Sequence, residues 1–299
     1  MRTRERAEVA RRVEELVATL APNGTIEPGT ALGEAGFDSL AYAELALALE
    51  ESFGVKLADA HLAYLETAGA VGRAVLALQE RSAGPRIPRG IGRYQGLAER
   101  ALGPILTGWY DVRITGRDHV PARGPAIVCA NHNSLLDIPF LAMAVPREIW
   151  FMAKVELFGG AFSSAFFRAL GGFSVRRQAA DLRAVDTALA TLEAGRVLGM
   201  FPEGTRSPHE LLPFLPGAAW IGLVKGAPLV PVSITGAVES LPKGRVIPKR
   251  TRVRVAFGDA IPVEREPDPA LRAAQAAELT AELRSRIVAL SQGDSGGVR

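Results

Sequence analysis

The 299-residue sequence contains a single cysteine, Cys129. That excludes an intrachain disulfide framework and a cysteine-built zinc site, and it fits a reducing compartment. No window reaches the roughly 18 uncharged apolar residues of a membrane-spanning helix. The longest apolar stretch, Leu211–Val224, is interrupted by Pro213 and Pro216, and it reads as core or interfacial structure. Met1-Arg2-Thr3-Arg4-Glu5-Arg6 leads into a charged helix with no apolar signal core, so export is not expected and the chain reads as cytoplasmic. Glycine (31) and proline (20) follow no period, which excludes a collagen-like chain. The remaining composition, 48% hydrophobic and 22% charged, is that of an ordinary globular protein.

At about 100–200 residues per domain, the length implies two domains. Charge divides the chain in the same way. Residues 1–84 hold 8 Lys and Arg against 13 Asp and Glu, and the remainder holds 27 against 19, so the net charges are −5 and +8. Opposed fields would favour docking of the two parts and attraction of the second to anionic surfaces; two solvated surfaces of accidental sign are the other reading. Between them, residues 81–93 carry two prolines, three glycines and four arginines. They read as a linker, spanning roughly 20 Å if flexible. The expected domains are therefore 1–80 and 94–299.

In the first, Val9, Val13, Leu16, Val17 and Leu20 share a helical face that ends at Pro22-Asn23-Gly24. A second helix starts at Asp38-Ser39-Leu40 and carries Leu45, Leu49 and Phe53. A short helical segment near Asp59–Glu66 and a last helix near Ala70–Glu80 complete an all-α, four-helix bundle. Ser39 stands where a capping serine belongs. Gly36-Phe37-Asp38-Ser39-Leu40, followed by Leu49-Glu50-Glu51-Ser52-Phe53-Gly54-Val55, resembles the acyl carrier protein family over about residues 4–80. The resemblance implies a 4′-phosphopantetheine arm on Ser39, installed by a phosphopantetheinyl transferase. A phosphodiester at a helix start is stabilised by the helix dipole. Glu44, Glu50 and Glu51 flank the position, either as an ordinary solvated face or, as in that family, facing basic partners.

From Tyr94 the pattern changes. Leu97, Ala101, Leu102, Ile105 and Leu106 form an amphipathic segment followed by Trp109-Tyr110, which either sits at a membrane interface or packs on its own domain. Strands are expected at Ala126–Ala130, Phe173–Val175, Val197–Phe201, Leu229–Ile234 and Arg252–Phe257, with helices near Ala180–Glu193 and Pro269–Leu290. Such alternation predicts an α/β domain with a mixed, largely buried sheet flanked by helices. At the first strand's end stands Asn131-His132-Asn133-Ser134-Leu135-Leu136-Asp137. With a helix starting near Asn133, the Asp137 carboxylate can turn back to fix the His132 tautomer and raise the basicity of its other nitrogen. In Phe201-Pro202-Glu203-Gly204-Thr205-Arg206-Ser207, Gly204 allows close backbone approach and Arg206 offers a fork for phosphate. Glu203 can orient a hydroxyl or hold Arg206, and a surface turn with a local ion pair is the plainer reading.

These segments, with Lys154 in Ala153–Leu157, Leu170–Arg177 and Val230-Pro231-Val232, resemble the glycerolipid (1-acylglycerol-3-phosphate) acyltransferase family over about residues 94–260, in the family's order. The resemblance implies His132 as general base supported by Asp137. It implies Lys154, Arg177, Glu203, Gly204, Thr205 and Arg206 as acceptor-binding, with no acyl-enzyme and no metal. Phe214-Leu215-Pro216-Gly217 departs from the pattern by being wholly apolar, and Arg176 stands where an acidic residue is frequent. Cys129 reads as core, and His61, His119 and His209 as surface or structural, with His209, near the acceptor block, a minor candidate for the site.

Joined in one chain, the two resemblances predict an acyltransferase of phospholipid synthesis that takes a fatty acyl thioester from its own carrier. The expected acceptor is a lysophospholipid such as 1-acylglycerol-3-phosphate. The expected place is the inner face of the cell membrane, peripherally bound, without nucleic acid. Tethering puts the donor at an effective concentration in the millimolar range. Two alternatives are a carrier-dependent acyltransferase of secondary metabolism acting on an alcohol, amine or sugar, and a non-catalytic membrane-associated carrier.

Overall fold

A computed structural model describes residues 3–24, 26–37, 39–55, 67–79, 103–104, 106–154, 165, 169–175, 182–207, 210–241 and 248–292. The chain divides into two units. One is Met1–Arg86 with Val175–Thr187 and Asp268–Ala273, and the other is the remainder. The linker expected at residues 81–93 lies outside the described residues.

The N-terminal region holds α1 (Thr3–Leu20), α2 (Ser39–Phe53) and α3 (Ala68–Gln79). Each presents one apolar face inward. Val13 and Val17 of α1, Leu45 and Leu49 of α2, and Val71, Ala74 and Val75 of α3 are fully buried, with Leu32, Ala35 and Phe37 from the first loop filling the centre. The expected segment Asp59–Glu66 lies outside the described residues, which show three helices. The last helix starts at Ala68 rather than Ala70 because Thr67 precedes it as a cap, its Oγ1 accepting the Ala70 N–H at 3.2 Å. The first loop closes on Asn23. The Asn23 N–H donates to the Ala35 carbonyl, and Asn23 Nδ2 donates to the Glu34 carbonyl, each at 3.2 Å. Gly36 sits against it at φ +87°, where a Cβ would lie 2.9 Å from the Asn23 side chain. This turn delivers the chain to α2.

The α/β unit is built on β1 (Asp111–Thr115), β2 (Ala126–Ala130), β3 (Ile149–Lys154), β4 (Gly172–Val175), β5 (Val197–Met200), β6 (Leu229–Thr235) and β7 (Arg252–Phe257), in the order β1-β7-β6-β2-β5-β3-β4. β5 and β6 flank β2 in parallel, β3 runs parallel to β5, and β7 is antiparallel to β6 and parallel to β1. Every residue of β2 is buried, as are the first six of β6. Their unbroken apolar runs are what a strand covered on both faces requires. The ends of β2, β3, β5 and β6 therefore share one edge of a mixed sheet, the usual place for a site in such folds.

The connecting helices are α4 (Asp137–Ala144), α5 (Leu182–Glu193), α6 (Gly217–Lys225), the single turn α7 (Ala237–Ser240) and α8 (Pro269–Gln292). Six of the seven residues after Asp137 in α4 are buried, Phe140 and Leu141 completely. The stretch Leu211–Val224 supplies α6, whose residues Ala218–Leu223 are buried. That helix stops at Gly226, φ +64°, in the left-handed conformation typical after a helix end. Among the described residues no helix is long and apolar enough to cross a membrane.

Candidate active site

Where β2 ends, its ladder is continued by a side chain. Asn131 Oδ1 accepts the Ile234 N–H at 2.7 Å, and its Nδ2 donates to the Ile234 carbonyl at 2.8 Å. The amide copies a strand pairing and holds the chain beside β6 while residues 132–136 turn away. The helix expected near Asn133 begins instead at Asp137. The physical reason is that the Asn133 and Ser134 N–H groups donate to Asp137 Oδ2, both at 2.7 Å, and shape a turn ahead of the helix.

The same Oδ2 lies 3.0 Å from His132 Nδ1. Asp137 is fully buried and the His132 side chain is 8% exposed. An oxygen already accepting two backbone N–H groups binds Nδ1 as a third donor. The neutral ring then carries its proton on Nδ1 and its basic lone pair on Nε2. Phe201 stacks on the imidazole with centroids 4.1 Å apart and planes at 21°, and Phe151 continues the stack at 6.3 Å. Gly199 makes room for it, since a Cβ there would run into the Phe151 ring.

The loop after β5 grips His132 by its main chain. Glu203 Oε1 accepts the His132 N–H at 2.6 Å, and the Ser207 N–H donates to the His132 carbonyl at 2.9 Å. Glu203 Oε2 accepts the Leu212 N–H at 3.0 Å, so both carboxylate oxygens serve backbone groups. Burial raises the Glu203 pKa; the two N–H donors oppose that, the Asp137 carboxylate adds to it and Arg284 opposes it. Gly204 takes φ +67°, which turns the loop at this point. Thr205 and Arg206 are exposed, and Arg206 makes no ion pair among the described residues.

The structure thus brings His132, Asp137, Glu203, Gly204, Thr205 and Arg206 to one sheet edge. Lys154 ends β3 at that edge. Arg177 lies outside the described residues, and Ser39 is the first residue of α2. Asn131 and Phe201 are site-building residues whose roles the motifs do not reveal. Their signal is position, at the ends of two neighbouring parallel strands. Cys129 is completely buried, and desolvation raises its thiol pKa far above the usual range. His119 contacts the Phe257 carbonyl through Nδ1 at 3.2 Å and Asp259 through Nε2 at 3.3 Å, away from the site.

Residues 111–235 match the family model described as Acyltransferase, and residues 11–75 match Phosphopantetheine attachment site. The chain is 27% identical to the 1-acyl-sn-glycerol-3-phosphate acyltransferase of Bacillus subtilis over 54% of its own length and 79% of that protein. It is 35% identical to the enzyme of the same name from Saccharomyces cerevisiae, over 42% of this chain and 43% of that one. It is 30% identical to the lyso-ornithine lipid O-acyltransferase of Pseudomonas aeruginosa, over 44% and 50%. The chain thus spans half or less of the latter two. The crystal structure of the 1-acyl-sn-glycerophosphate acyltransferase PlsC from Thermotoga maritima superposes with a TM-score of 0.54 at 22% identity, covering 97% of this chain and all of that one, a likeness of fold.

Proposed function

For a chain that joins a phosphopantetheine-attachment domain to a domain of the Acyltransferase family, we propose transfer of a fatty acyl group from a thioester to a hydroxyl of a lysophospholipid such as 1-acylglycerol-3-phosphate. The observation that carries this reading is the His132 ring, 3.0 Å from a buried carboxylate that is itself held by two backbone donors. His132 Nε2 takes the proton of the acceptor hydroxyl as its oxygen adds to the thioester carbonyl. When the tetrahedral centre collapses, the C–S bond breaks and the proton passes from Nε2 to the departing sulfur. Asp137 remains ionised and stabilises the imidazolium between these steps. Arg206 and Arg177 bind the acceptor phosphate, with Lys154, Gly204 and Thr205 beside them. Glu203 is given to holding the His132 backbone.

The attachment point in this reading is Ser39, within a four-helix domain of residues 1–80 that a linker at 81–93 joins to 94–299. The fit is sound. Ser39 opens the 15-residue α2, whose first-turn N–H groups have no intrahelical partner, and the Gly36 turn holds the approach. A 4′-phosphopantetheine there supplies the thiol that bears the acyl chain as a thioester. The net charges of −5 and +8 would help the carrier dock on the acyltransferase domain. A phosphopantetheinyl transferase is the implied partner, and the cytoplasmic face of the membrane the implied place of work.

Coexpression with a phosphopantetheinyl transferase, followed by intact-mass measurement and product analysis, tests the reading. Ser39→Ala should lose the mass increment and all transfer that proceeds without added coenzyme A thioester. His132→Ala should keep the increment and the acyl load but transfer nothing. A fully active His132→Ala overturns the assignment of the base. A second reading, an acceptor lacking phosphate, is favoured by the apolar Phe214-Leu215-Pro216-Gly217 and by the lyso-ornithine lipid relative. Arg206→Ala separates the two, raising KM only for a phosphorylated acceptor.

A further inference from the structure

Away from this site, four cations fall within six residues, Lys249, Arg250, Arg252 and Arg254, with no acid among them. The parallel register of β1 and β7 sets Arg113 beside Arg254 and Asp111 beside Arg252. Along β1, residues 111, 113 and 115 are exposed, whereas 112 and 114 are partly buried. Positions 252 and 254 extend the outward row onto β7. Arg252 Nε donates to Asp111 Oδ2 at 2.6 Å, and Arg113 and Arg250 lie close enough to help hold that carboxyl below the usual range. A second acid, the exposed Glu239, stands next to Ser240, whose carbonyl takes the Lys249 N–H at 2.8 Å. Arg113, Lys249, Arg250, Arg252 and Arg254 thus gather at β1 and the start of β7, with Arg252 paired to Asp111.

Trp109, two residues before β1, is 49% exposed, whereas Trp150 and Trp220 are buried. β1 and β7 run opposite to β2, β5 and β6. Their first residues therefore lie at the edge where His132 and the Glu203 loop stand. Three strand spacings, about 14 Å, separate β1 from β2.

We infer that this outer face of the sheet, with Trp109 at its end, docks on a bilayer carrying anionic headgroups. The cations match lipid phosphates. The indole suits the headgroup layer, where its ring meets hydrocarbon and its N–H meets water. A lipid acceptor could then reach the His132 edge without leaving the membrane. The inference rests on the acceptor being a membrane lipid, as proposed above.

The test uses the full chain with vesicles of phosphatidylcholine alone or mixed with phosphatidylglycerol. Wild type should bind only the anionic vesicles, with a blue shift of tryptophan emission that Trp109→Ala abolishes. Arg250→Gln should weaken binding about fivefold, and Arg250→Gln with Arg252→Gln about 25-fold, at one surface cation each. Thermal melting checks the folding of each variant. Turnover of a monomeric, short-chain acceptor should be unchanged in all of them.

Equal binding to both vesicle types, or undiminished binding by the double variant, overturns the inference. So does a wild type that ignores vesicles but self-associates through these arginines, which would assign the face to the acidic domain of a second copy. Vesicle binding with these losses but no turnover in wild type would leave the docking face standing and remove the acyl-transfer reading.

Discussion

Glu203 holds His132 by its main chain, Oε1 accepting the His132 N–H at 2.6 Å, although the two residues are 71 positions apart. With Oε2 on the Leu212 N–H, both carboxylate oxygens hold main-chain groups, and through Oε1 the side chain positions the proposed base. Glu203→Gln is therefore expected to lower kcat about tenfold or more, the scale of a lost charge-assisted hydrogen bond, and to leave the acceptor KM nearly unchanged. A rise in KM alone would instead make Glu203 an acceptor ligand. Steady-state kinetics with varied acceptor decides.

The same carboxyl gives a signed dependence on pH. Burial raises its folded pKa above the ordinary value near 4.5, so the folded chain holds this proton more tightly than the unfolded chain. The associated stability is complete below that ordinary value and is lost as pH rises through the folded one. Glutamine does not titrate. Wild type should thus lose stability relative to Glu203→Gln as pH climbs from about 4 toward neutrality. Paired thermal-unfolding curves across that range measure it, and a constant difference would count against a raised pKa.

Asp137 Oδ2 takes three donors, whereas Oδ1 is buried without a hydrogen-bond partner among the described residues. An asparagine must leave its NH2 in that empty position or turn it against the three donors. Asp137→Asn should lower kcat/KM by about 10²–10⁴ and cost about 1–3 kcal/mol of stability. Adding His132→Ala should lower activity little further, because in the proposed mechanism the two residues act as one unit. Additive losses in the double variant would show that they act separately.

What could be read beforehand follows from local chemistry. β2 and β6 announce themselves as continuous apolar runs, because they are covered on both faces. β1 is not among the expected strands: Asp111-Val112-Arg113-Ile114-Thr115 alternates polar with apolar residues over only five positions, a short form of the half-buried pattern, and its place is set by pairing with β7. The His132–Asp137 contact spans five residues and is open to a reading of spacing. The Asn131–Ile234 pairing spans 103 residues and the Glu203 grip 71, and both depend on which strands become neighbours. The start of α4 is misjudged from sequence because the Asp137 side chain takes N–H groups that a helix from Asn133 would have left for its own first turn.

Gly199 lets the aromatic stack reach the imidazole. A Cβ there would strike Phe151, whose ring stacks on Phe201, which lies against His132. Gly199→Ala should cost about 1–3 kcal/mol by overpacking. It should also reduce kcat through the displaced imidazole, with the acceptor KM little altered. If thermal melting falls while kcat is kept, the stack is structural only.

Gly36 makes a comparable demand in the N-terminal region, for a different reason. Its φ of +87° is costly for any residue with a Cβ, and that Cβ would sit 2.9 Å from Asn23, whose amide ties residues 34 and 35 to the end of α1. Gly36→Ala should cost about 1–2 kcal/mol from the backbone alone, with displacement of Asn23 added. Gly33, three residues earlier, has no positive φ, and a Cβ on it would meet nothing within 4 Å. Gly33→Ala should be neutral or stabilising by about 0.4–1 kcal/mol, since it restricts the unfolded chain. Hydrogen exchange read separately for residues 3–55 and 111–154 makes the comparison internal. Protection should fall in the first stretch for Gly36→Ala alone and stay constant in the second for both. Equal effects of the two substitutions would mean that the turn before α2 does not depend on a left-handed residue at position 36.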